Sequence, residues 1–466
     1  MSVGAVVLAA GQGTRMRSSR PKVLHPLAGR SMLGWVLAAL GDLSLDRAVV
    51  VVGHGAEDVE ATLPEGVVAA VQHEQRGTGD AAAIGLRALE GSCDTVLVLC
   101  GDTPLLTAEA IRGLLDAQRA DGAAATVATA HLSDAGAYGR VVRNGDGHVE
   151  RIVEASDATA EELALTEFNA GLYAADAAGL EAALAGVGSA NAQGEVYLPD
   201  ALPLLEGPVG ALTLDDPTEV LGVNTRVELA ACEAVLRARL REELMLDGVS
   251  MPDPERVYVD VDARVGVDTV LWPGVHLRGD TQVGDNCDIG PDVVITDSTV
   301  GSGTRIVAAH IDDSEIAEEC EVGPYARLRP GCRMRRGSKA GTYVEMKKAD
   351  VGEGAKVPHL SYVGDVDIGE GSNIGAGNIT ANYDGFQKHR TTIGARVKTG
   401  SDCVFVAPVT LGDDTMTGAG SIITDDVPDG ALAIARARQK NIEGFTERAA
   451  AKARAAKEES QGGNTT

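Results

Sequence analysis

The chain has 466 residues, 44% of them apolar but only 3% aromatic. That length exceeds one ordinary hydrophobic core and implies two or more domains with aliphatic interiors. A mean hydropathy near zero argues against both a disordered chain and a membrane protein, and 41 basic against 68 acidic residues, net −27, argue against nucleic acid as a main partner. Small phosphorylated ligands stay open, because screening reaches only about 8 Å at physiological salt. Seven cysteines, an odd number without a C-x-x-C pair, read as reduced thiols of a cytoplasmic protein with no zinc cage. The apolar opening lacks a positive flank and runs into a glycine-rich loop, so it reads as a buried strand rather than a signal peptide.

In chain order, apolar runs at residues 5–9, 48–52 and 95–99 predict strands, and helical patterns at 32–40, 79–89 and 108–120 predict helices. This alternation indicates an α/β domain over residues 1–226 with a mostly parallel sheet covered on both faces. Residues 225–246 predict one long amphipathic helix, a connecting arm with Thr225 at its start, Gly248 at its end and Leu229, Leu236, Leu240 and Leu244 on one stripe. We assign 227–247 to this linker.

From Gly248 the period changes. Val265, Leu271, Leu277, Val283, Ile289 and Ile295 lie six apart; Val322, Leu328, Met334, Ala340 and Met346 repeat the spacing. A third series with one-residue slips runs Val351, Val357, Val363, Ile368 and Ile374. A six-residue period fits a parallel β-helix of three faces and about 18 residues per coil, with anchors inward and glycines at the corners. The repeat domain spans 248–446. The segment Ala381-Asn-Tyr-Asp-Gly-Phe-Gln-Lys-His-Arg390 breaks the period and must loop out. The tail, 447–466, has a helical composition that gives way to disorder from Ser460.

Motifs with chemistry cluster early. Leu8-Ala-Ala-Gly-Gln-Gly-Thr-Arg-Met16 is a small-residue loop behind a strand, open to a phosphate or a base; it is neither a Walker A loop nor a dinucleotide fingerprint. Lys22 follows Pro21, Asp102 ends an apolar strand where ligands of α/β sheets bind, and Asn224 is either a metal ligand or a helix cap. Each alone has a plainer reading: a tight turn, a surface lysine, a turn aspartate. In the repeat, Arg329 and Lys347 lie one coil apart, each directly after its anchor. Stacked like charges repel, so an anion between them is expected, a phosphate clamp. His359 falls one slipped coil from Ala376, near Glu345, Tyr362 and Asn373, and a neutral imidazole can accept a proton from an attacking amine.

Taken together, L-A-A-G-x-G-T-R-M, P-K-V-L, Gln72-His-Glu-Gln-Arg-Gly-Thr78, G-D-T-P-L-L, Tyr138-Gly-Arg140, Ile152-Val-Glu154 and G-V-N-T-R, joined to the repeat, resemble the bacterial bifunctional N-acetylglucosamine-1-phosphate uridyltransferase / glucosamine-1-phosphate acetyltransferase family. The resemblance runs from Val3 to about Arg438. It implies a Rossmann-like nucleotidyltransferase domain, a linker helix and a left-handed parallel β-helix. It assigns Leu8, Ala9, Ala10, Gly11, Gln72, Gly77 and Thr78 to the nucleotide, Arg15 and Lys22 to the phosphates, Gly139, Glu154 and Asn169 to the sugar, and Asp102 and Asn224 to Mg²⁺. In the repeat it makes His359 the general base, with Glu345 orienting it. Arg329, Lys347, Tyr362 and Asn373 then take glucosamine 1-phosphate, and Ala376, Asn382, Tyr383, Ser401, Ala419 and Arg436 take acetyl-CoA. The family's substrates are UTP, glucosamine 1-phosphate, N-acetylglucosamine 1-phosphate and acetyl-CoA; its product feeds peptidoglycan and other envelope polysaccharides, and its state is a cytoplasmic homotrimer. Two other readings keep the same folds: a single-activity nucleotidyltransferase with a structural β-helix, and a non-catalytic assembly subunit, which would have lost Lys22, Asp102 or the glycine loop.

Overall fold

The computed structural model describes residues 2–43 and 45–462. The chain forms two compact units, Met1–Gln282 and Val283–Thr466, so the first anchors of the six-residue series travel with the first unit.

The first unit is built on a nine-stranded sheet of β1 (Val3–Ala9), β2 (Arg47–Val52), β3 (Val67–Val71), β4 (Thr95–Cys100), β5 (Ala125–His131), β6 (Arg140–Arg143), β7 (Val149–Val153), β8 (Glu167–Asp176) and β9 (Val209–Thr213). The order is β9-β5-β8-β4-β1-β2-β3, with the β6–β7 hairpin attached to β8. β1 pairs in parallel with β2 and β4, while β8 runs antiparallel to β4 and β5. The sheet is therefore mixed; the apolar runs marked β1, β2 and β4 and left β3, β5, β8, β9 and the hairpin unmarked.

Helices α1 (Met32–Gly41), α2 (Thr78–Ala88), α3 (Ala108–Asp121) and α4 (Ala177–Leu184) cover both faces. Alternation along β1 sorts them. Ala5 and Val7 pack with Leu33 and Val36 of α1 and Ile111 and Leu114 of α3. Val6 packs with Leu86 of α2 and Leu180 of α4. A strand buried on both faces must be apolar at every position, which is why it reads as a continuous run.

The linker helix α5 (Arg226–Leu246) begins with a capping box between Thr225 and Glu228. It ends in a Schellman pattern: the Val249 N–H donates to Leu244 O at 3.0 Å and the Gly248 N–H to Met245 O at 3.2 Å. Leu236 is buried with Met16, Leu27, Met32 and Leu105, and Leu229 and Leu240 flank it. The expected arm is thus docked along this unit rather than free.

In the second unit the anchors Ile289, Ile295, Val322, Leu328, Met334, Ala340, Met346, Val351, Val357, Val363, Ile368 and Ile374 are all buried. Successive coils pair in parallel at steps of 16 (Val294↔His310), 17 (Asp288↔Arg305) and 18 residues (Leu328↔Met346). The fold is the left-handed parallel β-helix. Its corners differ from expectation in one respect. Beside glycines, Asn286, Asp292, Asp297, Asp313, Asp365, Asp402 and Asp414 hold left-handed backbone angles, because short side chains that bond their own backbone tolerate that region. Small polar side chains fill the corners from inside. Buried Asn378 donates to Gly375 O at 2.5 Å, Gly400 O at 3.0 Å and Thr399 Oγ1 at 3.1 Å, and accepts from the Cys403 N–H at 3.1 Å.

The chain closes with α6 (Phe445–Gly462), helical as the tail composition indicates. It carries the helix past Ser460, where disorder was expected; residues 463–466 lie outside the described residues. No helix among the described residues is long and apolar enough to cross a membrane. Asn378→Ala should lower the denaturation free energy by about 2–4 kcal/mol, since it strands buried carbonyls and an N–H at once; a urea titration followed by circular dichroism measures it.

Candidate functional site

In the first unit, Leu8 of β1 lies opposite Cys100 of β4, so the loops leaving both strands emerge side by side. Gly13 lies at φ +61°, and a Cβ on it would meet Lys22 Cβ at 2.6 Å; the glycine lets the lysine pass. The Lys22 ammonium is paired with the Asp102 carboxylate and donates to Asn224 Oδ1 at 3.1 Å. Arg15 donates to the same oxygen at 3.0 Å. The choice left open for Asn224 is resolved locally: Thr225 holds the helix cap, and the Asn224 side chain faces two cations instead.

Two clefts meet at this knot. One, of about 320 Å³, is lined by Leu8 to Gly11, Lys22, Gln72, Gln75, Gly77 and Thr78. The other, of about 210 Å³, is lined by Tyr138, Gly139, Glu154, Asn169, Tyr173 and Asn224. Leu8, Thr78, Cys100 and Asp102 border both. Residues expected at the nucleotide line the first and those expected at the sugar line the second; Arg15 lines neither and reaches in through Asn224.

Both clefts are held from behind. Gln72 donates to Gly77 O at 3.2 Å and Asp80 Oδ2 at 2.8 Å, and Gln75 donates to Ala10 O at 2.8 Å. Asn169 donates to the Tyr173 hydroxyl at 2.7 Å, and its own oxygen accepts from the Gly171 N–H at 3.0 Å. Tyr138 packs against Phe168 with ring centroids 4.7 Å apart and the rings tilted by 45°. Burial, with Asp200 and Asp157 adding repulsion, pushes the Glu154 carboxyl above its ordinary range. Burial also pushes the Cys100 thiol up to about 12, which makes it a wall and not a nucleophile.

In the second unit, one corner of the β-helix carries a column read from successive bonds. Tyr343 donates to Pro324 O, Leu360 to Thr342 O, Gly377 to His359 O, Asp402 to Ala376 O and Gly420 to Ser401 O. Thr342, His359, Ala376, Ser401 and Ala419 therefore stack coil on coil. On the His359 side the outer corner is bulky: Tyr325 and Tyr343 stack at 5.2 Å, both exposed, with Leu360 next, all three in left-handed conformation. Past His359 the corner narrows to Gly377, and the column offers only small side chains, an open ledge beside an exposed imidazole.

Arg329 and Lys347 are neighbours as expected, for Leu328 pairs with Met346. The Arg329 guanidinium, however, is turned onto Glu345 at 3.0 Å. Glu345 is thus held by Arg329 and does not orient His359, whose ring has no hydrogen-bond partner among the described residues. A third cation takes part: Lys388, from the looped-out segment, presses on Lys347 and, with Arg329, lowers its pKa. Gly364 is a constrained position here, since a Cβ would meet the Tyr362 hydroxyl at 2.6 Å and Asn382 Nδ2 at 2.8 Å. Asn382 donates to Asp365 Oδ2 at 2.5 Å and approaches the Tyr362 hydroxyl at 3.5 Å. Tyr383 is exposed, its hydroxyl donating to Gly385 O at 2.6 Å. Asn373 lies on another face, between Lys356 and Lys398, and Arg436 is exposed near the end of the repeat.

Residues 5–190 match the MobA-like NTP transferase domain, and residues 262–297 match the bacterial transferase hexapeptide (six repeats). Bifunctional protein GlmU of Streptomyces avermitilis is 50% identical over 451 residues, covering 95% of this chain and 94% of the relative. The GlmU protein of Streptomyces coelicolor is 49% identical with the same coverage. That of Corynebacterium efficiens is 47% identical over 457 residues, 96% of this chain and 94% of its own. The chain belongs to the GlmU family of bifunctional proteins. It is a transferase that joins a nucleotidyltransferase domain to a hexapeptide acyltransferase domain.

Several working residues escaped the motif reading. Gln75 sits inside a quoted motif but carries a backbone contact no spacing reveals. Tyr173 lies on β8, unmarked as a strand. Lys388 was visible only as part of the basic Lys388-His-Arg390 run, and Gly364 as one glycine among 57.

Two pH responses follow. A Glu154 whose folded-state pKa is raised contributes stability that is lost as pH climbs from the ordinary glutamate range through the raised value. Glu154→Gln should therefore melt with the wild type below that range and above it at neutral pH, in a thermal-melt series against pH. For Lys347 the neighbouring cations favour the neutral amine. Binding of inorganic phosphate should thus weaken as pH rises through the lowered value, and Lys388→Ala should move that inflection upward in calorimetric titrations.

Proposed function

We propose that the first site transfers uridylate from UTP to N-acetylglucosamine 1-phosphate, releasing diphosphate, and that the second acetylates glucosamine 1-phosphate from acetyl-CoA to supply that acceptor. The product is UDP-N-acetylglucosamine, a precursor for peptidoglycan and other envelope polysaccharides. The observation that carries the reading is the meeting of two clefts at Asp102, with Lys22 and Asn224 at their seam.

In this reading the cleft of Leu8–Gly11, Gln72, Gly77 and Thr78 holds uridine. Arg15 and Lys22 spread the phosphate charge, and Gly139, Glu154 and Asn169 hold the sugar. The acceptor phosphate then attacks the α-phosphorus while diphosphate leaves, a step governed by alignment and charge neutralisation. Asp102 and Asn224 fit Mg²⁺, for two oxygens already converge on one ammonium. Among the described residues no cluster of three or more acidic, histidine or cysteine groups offers a full protein cage, and Mg²⁺ is a cation that takes one or two protein oxygens and completes its shell with phosphate and water. Bound there it would supply charge stabilisation of the phosphates.

At the β-helix corner, Arg329, Lys347 and Lys388 receive the sugar phosphate, with Tyr362 and Asn373 at the sugar. Ala376, Asn382, Tyr383, Ser401, Ala419 and Arg436 receive the coenzyme. The acceptor amine attacks the thioester carbonyl, the carbon–sulfur bond breaks, coenzyme A leaves, and the amine proton passes to His359. The functional division is 1–226 for uridyl transfer, 227–247 for the linker, 248–446 for acetyl transfer and 447–466 for the tail; the working state is a cytoplasmic homotrimer. With all four substrates present, His359→Ala should cut thiol release by about 100-fold or more yet leave diphosphate formation from N-acetylglucosamine 1-phosphate intact, and Asp102→Ala should do the reverse. One substitution abolishing both activities in a folded protein would overturn the two-site reading.

A further inference from the structure

Three consecutive backbone N–H groups just ahead of α5 donate to three different parts of the first site. The Gly222 N–H donates to the Tyr138 hydroxyl at 2.9 Å, the Val223 N–H to Asp102 O at 2.9 Å, and the Asn224 N–H to Glu228 Oε2 at 2.7 Å. The first two bonds tie the segment to the sugar-cleft wall and to the Asp102 loop. The third is accepted by an exposed glutamate in the first turn of the helix.

That same Oε2 accepts the Thr225 N–H at 2.7 Å and the Thr225 hydroxyl at 3.0 Å, while Thr225 Oγ1 accepts the Glu228 N–H at 3.3 Å. A capping box needs the reciprocal bonds between Thr225 and Glu228 and nothing more. The bond to the Asn224 N–H is surplus to the cap. It fixes the backbone of the one residue whose side-chain oxygen takes both Lys22 and Arg15. The Glu228 charge also reaches the sugar-cleft wall, where it is among the groups that raise the Tyr138 phenol.

We propose that Glu228 is a positioning residue of the uridyl-transfer site: it aims Asn224 Oδ1 at the cation position beside Asp102. The inference rests on the reading of Asn224 as a metal ligand. Partners that orient a ligand from behind commonly govern metal affinity by about 10-fold or more. Glu228 acts from the helix side and touches neither substrate nor metal itself.

The test uses the full chain with UTP and Mn²⁺ as the probe, reading free Mn²⁺ by electron paramagnetic resonance, with a thermal melt of each variant. Glu228→Ala should weaken Mn²⁺ binding by about 10-fold. Glu228→Gln, which keeps an acceptor oxygen, should restore it. Thr225→Ala, which breaks the cap but spares the Asn224 bond, should lower the melting temperature and leave the Mn²⁺ midpoint in place. The inference falls if Glu228→Ala binds Mn²⁺ like the wild type while Asn224→Ala does not, or if Thr225→Ala weakens binding as much as Glu228→Ala. Unchanged binding in Asn224→Ala would remove the metal-ligand reading, and this inference with it.

Discussion

Leu8 faces Cys100 across a pair of parallel strands, and most of the chemistry of the first unit depends on that register. Parallel neighbours release their loops at the same edge. The glycine-rich turn after β1 and the Gly101–Asp102 turn after β4 therefore open onto common ground. Lys22 and Asn224 come from segments distant in sequence, yet both end at the Asp102 carboxylate's side. A one-residue slip between β1 and β4 would reverse the faces of every side chain on one of them and scatter this group.

The β-helix uses the same constraint in another form. Because each coil pairs in parallel with the next, a position on one coil recurs directly above itself, and a column becomes a functional object. The corner beside the His359 column changes character partway, from the bulky, exposed Tyr325, Tyr343 and Leu360 to Gly377, Asp402 and Gly420. The left-handed angles of the three bulky residues cost energy, and their neighbours in the ladder hold them there. Asn378 supports the small side of the same corner from within, tying Gly375 and Gly400.

Periodicity carried much of this in the sequence. The six-residue anchors and the apolar runs of β1, β2 and β4 are local patterns set by burial, and the structure buries nearly all of them, with the first anchor Val265 and the strand residues Leu8 and Ala48 only half-buried. The clefts were legible for a different reason: their residues belong to compact motifs at strand ends. What stayed hidden is relational. The antiparallel β8 shows only a short apolar stretch, Leu172 to Ala175, because Glu167, Asn169 and Gly171 alternate with buried positions through its first half. Whether Glu345 turns to His359 or to Arg329 is a rotamer choice between two plausible partners, and the guanidinium wins through opposite charge one coil away. Asn224 was ambiguous as long as Thr225 and Asn224 could both cap; the capping box with Glu228 decides for Thr225.

The looped-out segment is anchored to the coils at its two ends, by Asn382 on Asp365 and Arg390 on Asp367, while its tip is secured to itself. His389 donates its backbone N–H to Asn382 O, Asp384 donates to Gln387 O, and the Asp384 carboxylate accepts from the Phe386 and Gln387 N–H groups. Such a self-closing tip, where Phe386 stands almost fully bared, can vary freely over evolutionary time while the anchored ends and the coils beneath keep their count. Diversity among relatives should accordingly collect at that tip, and the ladder should stay monotonous.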